Sequence, residues 1–225
     1  MTTLYTRTIT CLLLAMALPG CTTPENDVVL TGQTMGTTYT VSMVGCESLQ
    51  CAGMGEHIEA RLEELTQHLS HYDPESELSA YNNHDGTDWF PVSTDLGTVV
   101  DYALTVSKLS NGAFDITVAP AVDAWGFGPT DEIPAEPAKA ALDATLAHSG
   151  YTKLESRTAP WAIRKHDPLL RLDLSALAKG YAVDQLAYLL DDRGMQNYLV
   201  EIGGETRTAG VRGDGMPWRI GIQPP

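Results

Sequence analysis

"LDLSALAKGYAVD", residues 172–184, changes its period partway through. The run "LLRLDL" (169–174) reads as a strand. "SALAKGYAVDQLAYLLDDRG" (175–194) reads as a helix, with Ala182, Leu186, Leu189 and Leu190 on one apolar face and Gly194 as its cap. The joint delivers Asp173 and Ser175 to the helix start and sets Lys179 one turn further in. A helix N-terminus presents unpaired N–H groups and a partial positive charge, which suits a phosphate, and Lys179 adds a full cation. The glycine-rich loop of a P-loop is absent. On spacing alone, Ser175 reads equally well as a cap, with Asp173 as its first-turn companion.

Outward from this joint, helices and strands alternate without a regular order. "VVLTGQTMGTTYTVSMVG" (28–45) reads as two strands. "GEHIEARLEELTQHLSHYD" (55–73) carries Ile58, Leu62, Leu65 and Leu69 at helical spacing and runs into a "DP" breaker. "STDLGTVVDYALTVSKLSNG" (93–112) reads as a helix capped by Ser93 or Thr94 and stopped by Asn111-Gly112. A Pro-rich acidic connector (129–140) leads to a short helix through Ala147 that stops at Gly150. "WAIRKH" (161–166), "NYLVEIGG" (197–204) and "WRIGIQ" (218–223) read as later strands. The expected fold class is α+β, with mixed helices and sheets, rather than a doubly wound parallel sheet.

Composition narrows the partners. The 225 residues suffice for one large domain or two small ones, and 43% hydrophobic with 19% charged residues is globular. The net charge of -15, with no Lys/Arg cluster, disfavours nucleic acid. An anionic substrate would need a cation, and a divalent metal held by oxygens suits so acidic a chain.

The first 21 residues stand apart. "MTTLYTRTITCLLLAMALPGC" has an early Arg7, an apolar run from Ile9 to Leu18, and small residues before Cys21. This is the layout of a secretory signal, too short to span a bilayer as a mature helix. "LPGC" resembles the lipobox of bacterial lipoproteins, so residues 1–20 are expected to be cleaved and Cys21 lipidated, and ordinary secretion is the alternative. An exported chain, lipid-anchored to a bacterial membrane and facing the periplasm, follows as an expectation. Removal of Cys11 and lipidation of Cys21 leave Cys46 and Cys51, five apart, able to close a small disulfide loop in an oxidising compartment. No second pair of ligands accompanies them at zinc spacing.

Other stretches carry two readings each. "GAFDITVAPAVDAWGFGP" (112–129) mixes Asp115 and Asp123 with aromatics and glycines, as a buried segment or a cofactor wall. Gly203-Gly204 marks a turn or a close backbone approach to a ligand. Met35, between Gly32 and Gly36, packs on a flat ring or in the core. Neither a zinc-protease helix motif nor a G-x-S-x-G elbow occurs.

In order along the chain, "QTMGTTYTV", "LSHYDPESELSAYN", "NGAFDITVAPAVDAWGFGP", "DLSALAKGYAVDQLAYLL", "YLVEIGGETRTAG" and "PWRIGIQ" closely resemble the ApbE family, the FAD:protein FMN transferases, over about residues 30–223. The resemblance implies an enzyme that binds FAD and, with Mg²⁺, moves the FMN portion onto a Ser or Thr of an acceptor flavoprotein, releasing AMP. It implies that Met35 and Tyr72 contact the flavin, that Ala113, Phe114 and Asp115 hold the cofactor, and that Asp173 and Lys179 complete FAD binding. Ala176, through its carbonyl, would be the first metal ligand. Trp125, Phe127 and the glycines after them read as core and turn. Acceptors would be exported subunits of sodium-pumping NADH:quinone oxidoreductase or Rnf-type complexes.

The family's remaining metal ligands, an Asp and a Thr, and a His in an H-x-x-DP segment follow the "WRIGIQ" run and lie beyond Pro225. The C-terminal part of the family fold is therefore expected to be missing, the sequence to be incomplete or a truncated inactive product, and no catalytic residue is assigned. Residues 21–225 would be the N-terminal portion of the family domain. An FAD pyrophosphatase yielding FMN and AMP, a non-catalytic flavin-binding lipoprotein, and an interaction lipoprotein that has lost the ligand are the alternatives.

Overall fold

The structure, a computed structural model, describes residues 27–46, 51–129 and 136–222; the signal segment, with Cys11 and Cys21, lies outside them. In chain order the elements are β1 (Val28–Thr34), β2 (Thr37–Met43), α1 (Met54–Leu69), α2 (Glu77–Asn82), β3 (Phe90–Pro91), α3 (Thr94–Leu109), α4 (Ala119–Ala124), α5 (Lys139–Leu146), β4 (Leu154–Thr158), β5 (Trp161–Lys165), α6 (Ser175–Asp192), β6 (Tyr198–Ile202) and β7 (Glu205–Ala209), with 3-10 turns at Ile116–Val118 and Tyr151–Lys153. Strands and helices intermix as the α+β reading expects, and every strand pairing is antiparallel.

Two sheets enclose a layer of helices. The larger runs β1-β2-β6-β7 and the smaller β3-β5-β4. In β2 and β6 the register sets Tyr39 opposite Ile202, Val41 opposite Val200 and Met43 opposite Tyr198, all buried on one face. That alternation is what an antiparallel sheet with one covered face requires. α6 packs on β6 and β7, α3 packs on β4 and β5, and α1 lies against both helices. Each helix turns an apolar stripe inward: Ile58, Leu62 and Leu65 from α1, Leu96, Val100 and Ala103 from α3, Ala182, Leu186 and Leu190 from α6. Gly97 is what lets α3 meet β5, because a Cβ there would stand 2.5 Å from the Trp161 ring.

The helix ends follow local chemistry. Ser93 caps α3 through its side chain, and Asn111 and Gly112, at φ 53° and 81°, close it. α1 stops at Leu69, four residues before the Asp73 expected from the sequence. Ser70 turns extended, and its hydroxyl accepts the N–H groups of Tyr72 and Asp73 at 3.2 Å each.

Other expectations need correction. "LLRLDL" forms no strand: its backbone groups bond to the side chains of Asn82, Lys165 and Asp167 and to the carbonyls of Asp167 and Ile116, not to a neighbouring strand. Residues 218–222 form none either: apart from a bridge between Val211 and Pro217, the ladder ends at β7. "LESRT" (154–158) is instead a strand, β4. Trp125 and Phe127 are not core, being 45% and 72% exposed.

Cys46 and Cys51 are disulfide-bonded, with Cα atoms 6.0 Å apart, as the cysteine count anticipates. Among the described residues no helix is long and apolar enough to cross a membrane.

Candidate functional site

The hairpin turn at Met35-Gly36, the loop after α1 and the start of α6 converge on a cavity of about 700 Å³. Met35, Tyr72 and Lys179, three of the residues singled out in the sequence, line it together with His71, Ser175 and Ala178. Each arrives by a different local device. Met35 projects from a left-handed turn position (φ 48°), Tyr72 from the serine-capped loop after α1, and Lys179 from the second turn of α6.

The α6 end is built around Asp173. Leu174, not Ser175, is the N-cap residue and offers no side-chain bond; Asp173 Oδ1 accepts the Ser175 N–H at 2.7 Å instead. An acid at this position also complements the helix dipole. The same oxygen lies 3.6 Å from His71 Nδ1, with both side chains nearly buried at 9% and 7% exposure. His71 Nε2 is buried and, among the described residues, has no hydrogen-bond partner. Sequence reading passed over His71, because one histidine beside a tyrosine gives no spacing signal. Asp173 thus lies behind the cavity wall and connects its two sides.

Tyr72 is half exposed, yet its hydroxyl donates to the Phe127 carbonyl at 2.6 Å. Partial burial, with the negative charges of Asp173 and Asp123 nearby, raises its pKa and keeps the phenol a neutral donor. This bond brings the "WGFG" loop to the cavity's rim, so the 112–129 stretch touches the site through its second half.

The first half of that stretch has internal partners. Asp115 Oδ1 accepts from Thr117 N (2.8 Å) and Oγ1 (2.7 Å), and Oδ2 accepts from Tyr151 N at 2.8 Å. Phe114 packs on the core, and Ala113, Phe114 and Asp115 do not line the cavity. The link to the site is indirect: Asp173 N–H donates to the Ile116 carbonyl at 2.8 Å. Ala176 lies in the first turn of α6 and lines a neighbouring groove with Tyr102, Tyr181 and Tyr188.

Gly203-Gly204 makes the two-residue turn between β6 and β7, both at positive φ. Gly203 also backs Lys179: a Cβ there would stand 2.9 Å from Thr37 Cγ2 and 3.1 Å from Lys179 Cδ. Gly203→Ala, strained at φ 55° and crowding the lysine stem, is expected to cost about 1–2 kcal/mol. An unchanged denaturation midpoint would refute that crowding.

A second cluster lies between α1, α3 and α6. Glu64, His68 and Asp95 bring ligand atoms within 4.8 Å of one another. Arg61 already fills the place of a cation there. Its guanidinium donates to both Asp95 oxygens at 2.9 and 2.7 Å, to Glu64 at 2.6 Å and to Gln185 at 2.8 Å. His68 Nδ1 (2.9 Å) and the Tyr181 hydroxyl (2.7 Å) complete the carboxylate's partners. Burial alone would raise the Asp95 pKa, but the hydrogen bonds from Arg61, Tyr181 and His68 outweigh it and hold the carboxyl at about 2. The cluster is a satisfied ion-pair network that ties three helices together.

A family model described as "ApbE family" matches residues 35–225. The chain is 40% identical over 213 residues to the FAD:protein FMN transferase of Vibrio cholerae serotype O1, covering 93% of this chain and 63% of that protein. It is 35% identical over 209 residues to the FAD:protein FMN transferase of Escherichia coli (strain K12), covering 92% and 60%. The chain thus spans about three-fifths of the length of these curated relatives. Among solved structures, the flavin transferase ApbE from Vibrio cholerae superposes with a TM-score of 0.83 at 40% identity, over 88% of this chain and 64% of that one. The apo flavinyl transferase ApbE from Pseudomonas stutzeri gives 0.81 at 33% identity, over 89% and 66%.

Proposed function

The chain belongs to the ApbE family, and on that premise we propose that it is a flavin transferase that takes FAD in the cavity beside α6 and passes the FMN portion to a Ser or Thr hydroxyl of an acceptor flavoprotein, releasing AMP. The observation that carries this reading is the convergence of Met35, Tyr72 and Lys179, from distant parts of the chain, on one cavity of about 700 Å³, a volume suited to a cofactor.

The chemistry of the walls fits the cofactor's parts. Met35 and Tyr72 offer a polarizable thioether and an aromatic face to a flat ring. Lys179 and the start of α6 offer positive charge to a pyrophosphate. Asp173 holds the helix start, and Gly203 leaves the lysine stem its room.

Mg²⁺ would stabilise charge on the phosphates during transfer. A hard cation of this kind takes six oxygens, and of a ligand set the described residues offer the Ala176 carbonyl. Asp173 is engaged by Ser175, and Asp95 by Arg61. These residues do not by themselves fit the ion, so no step is assigned to it.

The Cys46–Cys51 disulfide supports an exported chain, and the Cys21 lipobox supports a lipid anchor facing the periplasm. Acceptors would then be exported flavoproteins, such as subunits of sodium-pumping NADH:quinone oxidoreductase or Rnf-type complexes.

The test is AMP release from FAD in the presence of an acceptor domain and of its hydroxyl-to-alanine variant. Transfer predicts AMP and covalent FMN in equal amounts with the intact acceptor only. AMP at the same rate without an acceptor identifies an FAD pyrophosphatase, and absence of FAD binding overturns the flavin reading altogether.

A further inference from the structure

In "LSHYDPESELSAYN", Tyr72 lines the cavity, whereas "SELSAYN" does not, yet its side chains reach three separate segments of the chain. The hydroxyl of Ser76, the N-cap of α2, donates to the Ser70 carbonyl, and the Ser79 hydroxyl reaches the same oxygen at 3.4 Å. Glu77 accepts the Ser93 N–H at 2.6 Å and its hydroxyl at 2.5 Å, fixing the start of α3. Asn82, only 8% exposed, accepts the Leu172 N–H at 2.8 Å and donates to the Leu172 carbonyl at 2.9 Å.

The Asn82 pair explains why "LLRLDL" has a strand's sequence and no strand partner. A primary amide carries one acceptor and a donor side by side. Here it gives Leu172 the two bonds that one residue of a neighbouring strand would give. The same segment is held by Lys165 Nζ on the Leu170 carbonyl (3.2 Å) and by the Ile116 carbonyl on Asp173 N–H (2.8 Å).

We propose that Asn82 is a positioning residue of the flavin site. It stands outside the cavity and fixes where Asp173 stands, and through the Asp173–Ser175 bond it fixes the start of α6 and Lys179. Because Ser76 and Ser79 hold Ser70, two residues before Tyr72, the short helix α2 sets the spacing between the cavity's aromatic wall and its cationic wall. The flavin-affinity part of the test below rests on the reading of the cavity as an FAD site; the amide-exchange part does not.

The experiment compares the wild-type protein with Asn82→Ala and Asn82→Asp, and with Ile163→Val, a core truncation in β5 away from the cavity. Asn82→Ala removes both bonds. Asn82→Asp keeps the acceptor but turns an oxygen toward the Leu172 carbonyl, and it carries the test if the alanine variant does not fold. FAD dissociation constants are read by quenching of flavin fluorescence well below each melting temperature, and amide exchange is followed at Leu172 and Ser175.

The Asn82 variants are expected to bind FAD roughly tenfold more weakly and to exchange faster at those two amides, while Ile163→Val binds as wild type does. Wild-type FAD affinity in folded Asn82 variants, or an equal loss in Ile163→Val, overturns the proposal. If the wild-type protein binds no FAD, the cavity reading fails and takes the flavin-site role of Asn82 with it, while unchanged exchange at Leu172 and Ser175 overturns the positioning of the α6 start on its own.

Discussion

Asp95→Ala is expected to lower the unfolding free energy by about 3 kcal/mol, the lower end of the cost of breaking a buried ion pair. Asp95 is 6% exposed, and the partners it would abandon come from two other helices: Arg61 and His68 from α1, Tyr181 from α6. Arg61 keeps Glu64 and Gln185 and is partly solvated, 22% exposed in its side chain, which places the cost at the low end. For a chain of this length, that loss lowers the melting temperature by about 6–12 °C.

The pH dependence has a definite sign. The folded carboxyl titrates at about 2, below its ordinary 3.8. Its contribution is therefore fully present above about pH 4 and is lost as pH falls toward 2, in all by about 2 kcal/mol. Thermal scans of wild type and Asp95→Ala at pH 7 and pH 2.5 check both statements. A difference below 2 °C at pH 7, or one undiminished at pH 2.5, would sink the account of this network.

The parts of the fold legible in the sequence are those set by neighbours along the chain. Ser93 and Asn111-Gly112 bound α3 because a cap is a local hydrogen bond and a positive φ is a local strain. The Met35-Gly36 hairpin is local in the same sense. What failed to show was decided at a distance. "LLRLDL" alternates like a strand, but its partner is an amide ninety residues earlier. β4 hides because "LESRT" is polar at positions that face solvent.

The site divides along the same line. Met35, Tyr72 and Lys179 were legible through the family's motifs, which preserve order along the chain, and the fold brings them to one cavity. Asp115 was legible as a motif residue, but composition could not reveal that Thr117 and Tyr151 already occupy both of its oxygens. Asp95 gave no signal in the sequence, because its convergence with Arg61 and Tyr181 joins residues 34 and 86 positions away.

Lys179→Ala is expected to weaken FAD binding roughly tenfold to a hundredfold, the range for losing one charge-assisted hydrogen bond to a phosphate, with little effect on stability. The second half of that expectation rests on the contacts of the lysine itself. Its amine has a long 3.5 Å approach to the Ser175 carbonyl, and its stem passes Gly203. Among the described residues, that carbonyl is the amine's hydrogen-bond partner, and it is exposed.

Riboflavin separates the two ways in which the substitution could act. If Lys179 meets the pyrophosphate, riboflavin, which has none, should bind the variant as it binds wild type, and Lys179→Arg should recover part of the FAD affinity. If the stem instead packs against the ring, riboflavin and FAD should weaken together. Titration of both ligands by flavin fluorescence therefore tests which end of the cofactor faces α6. Equal losses would reverse the orientation proposed for the cavity, with the phosphates at the Met35 turn and the ring against the helix.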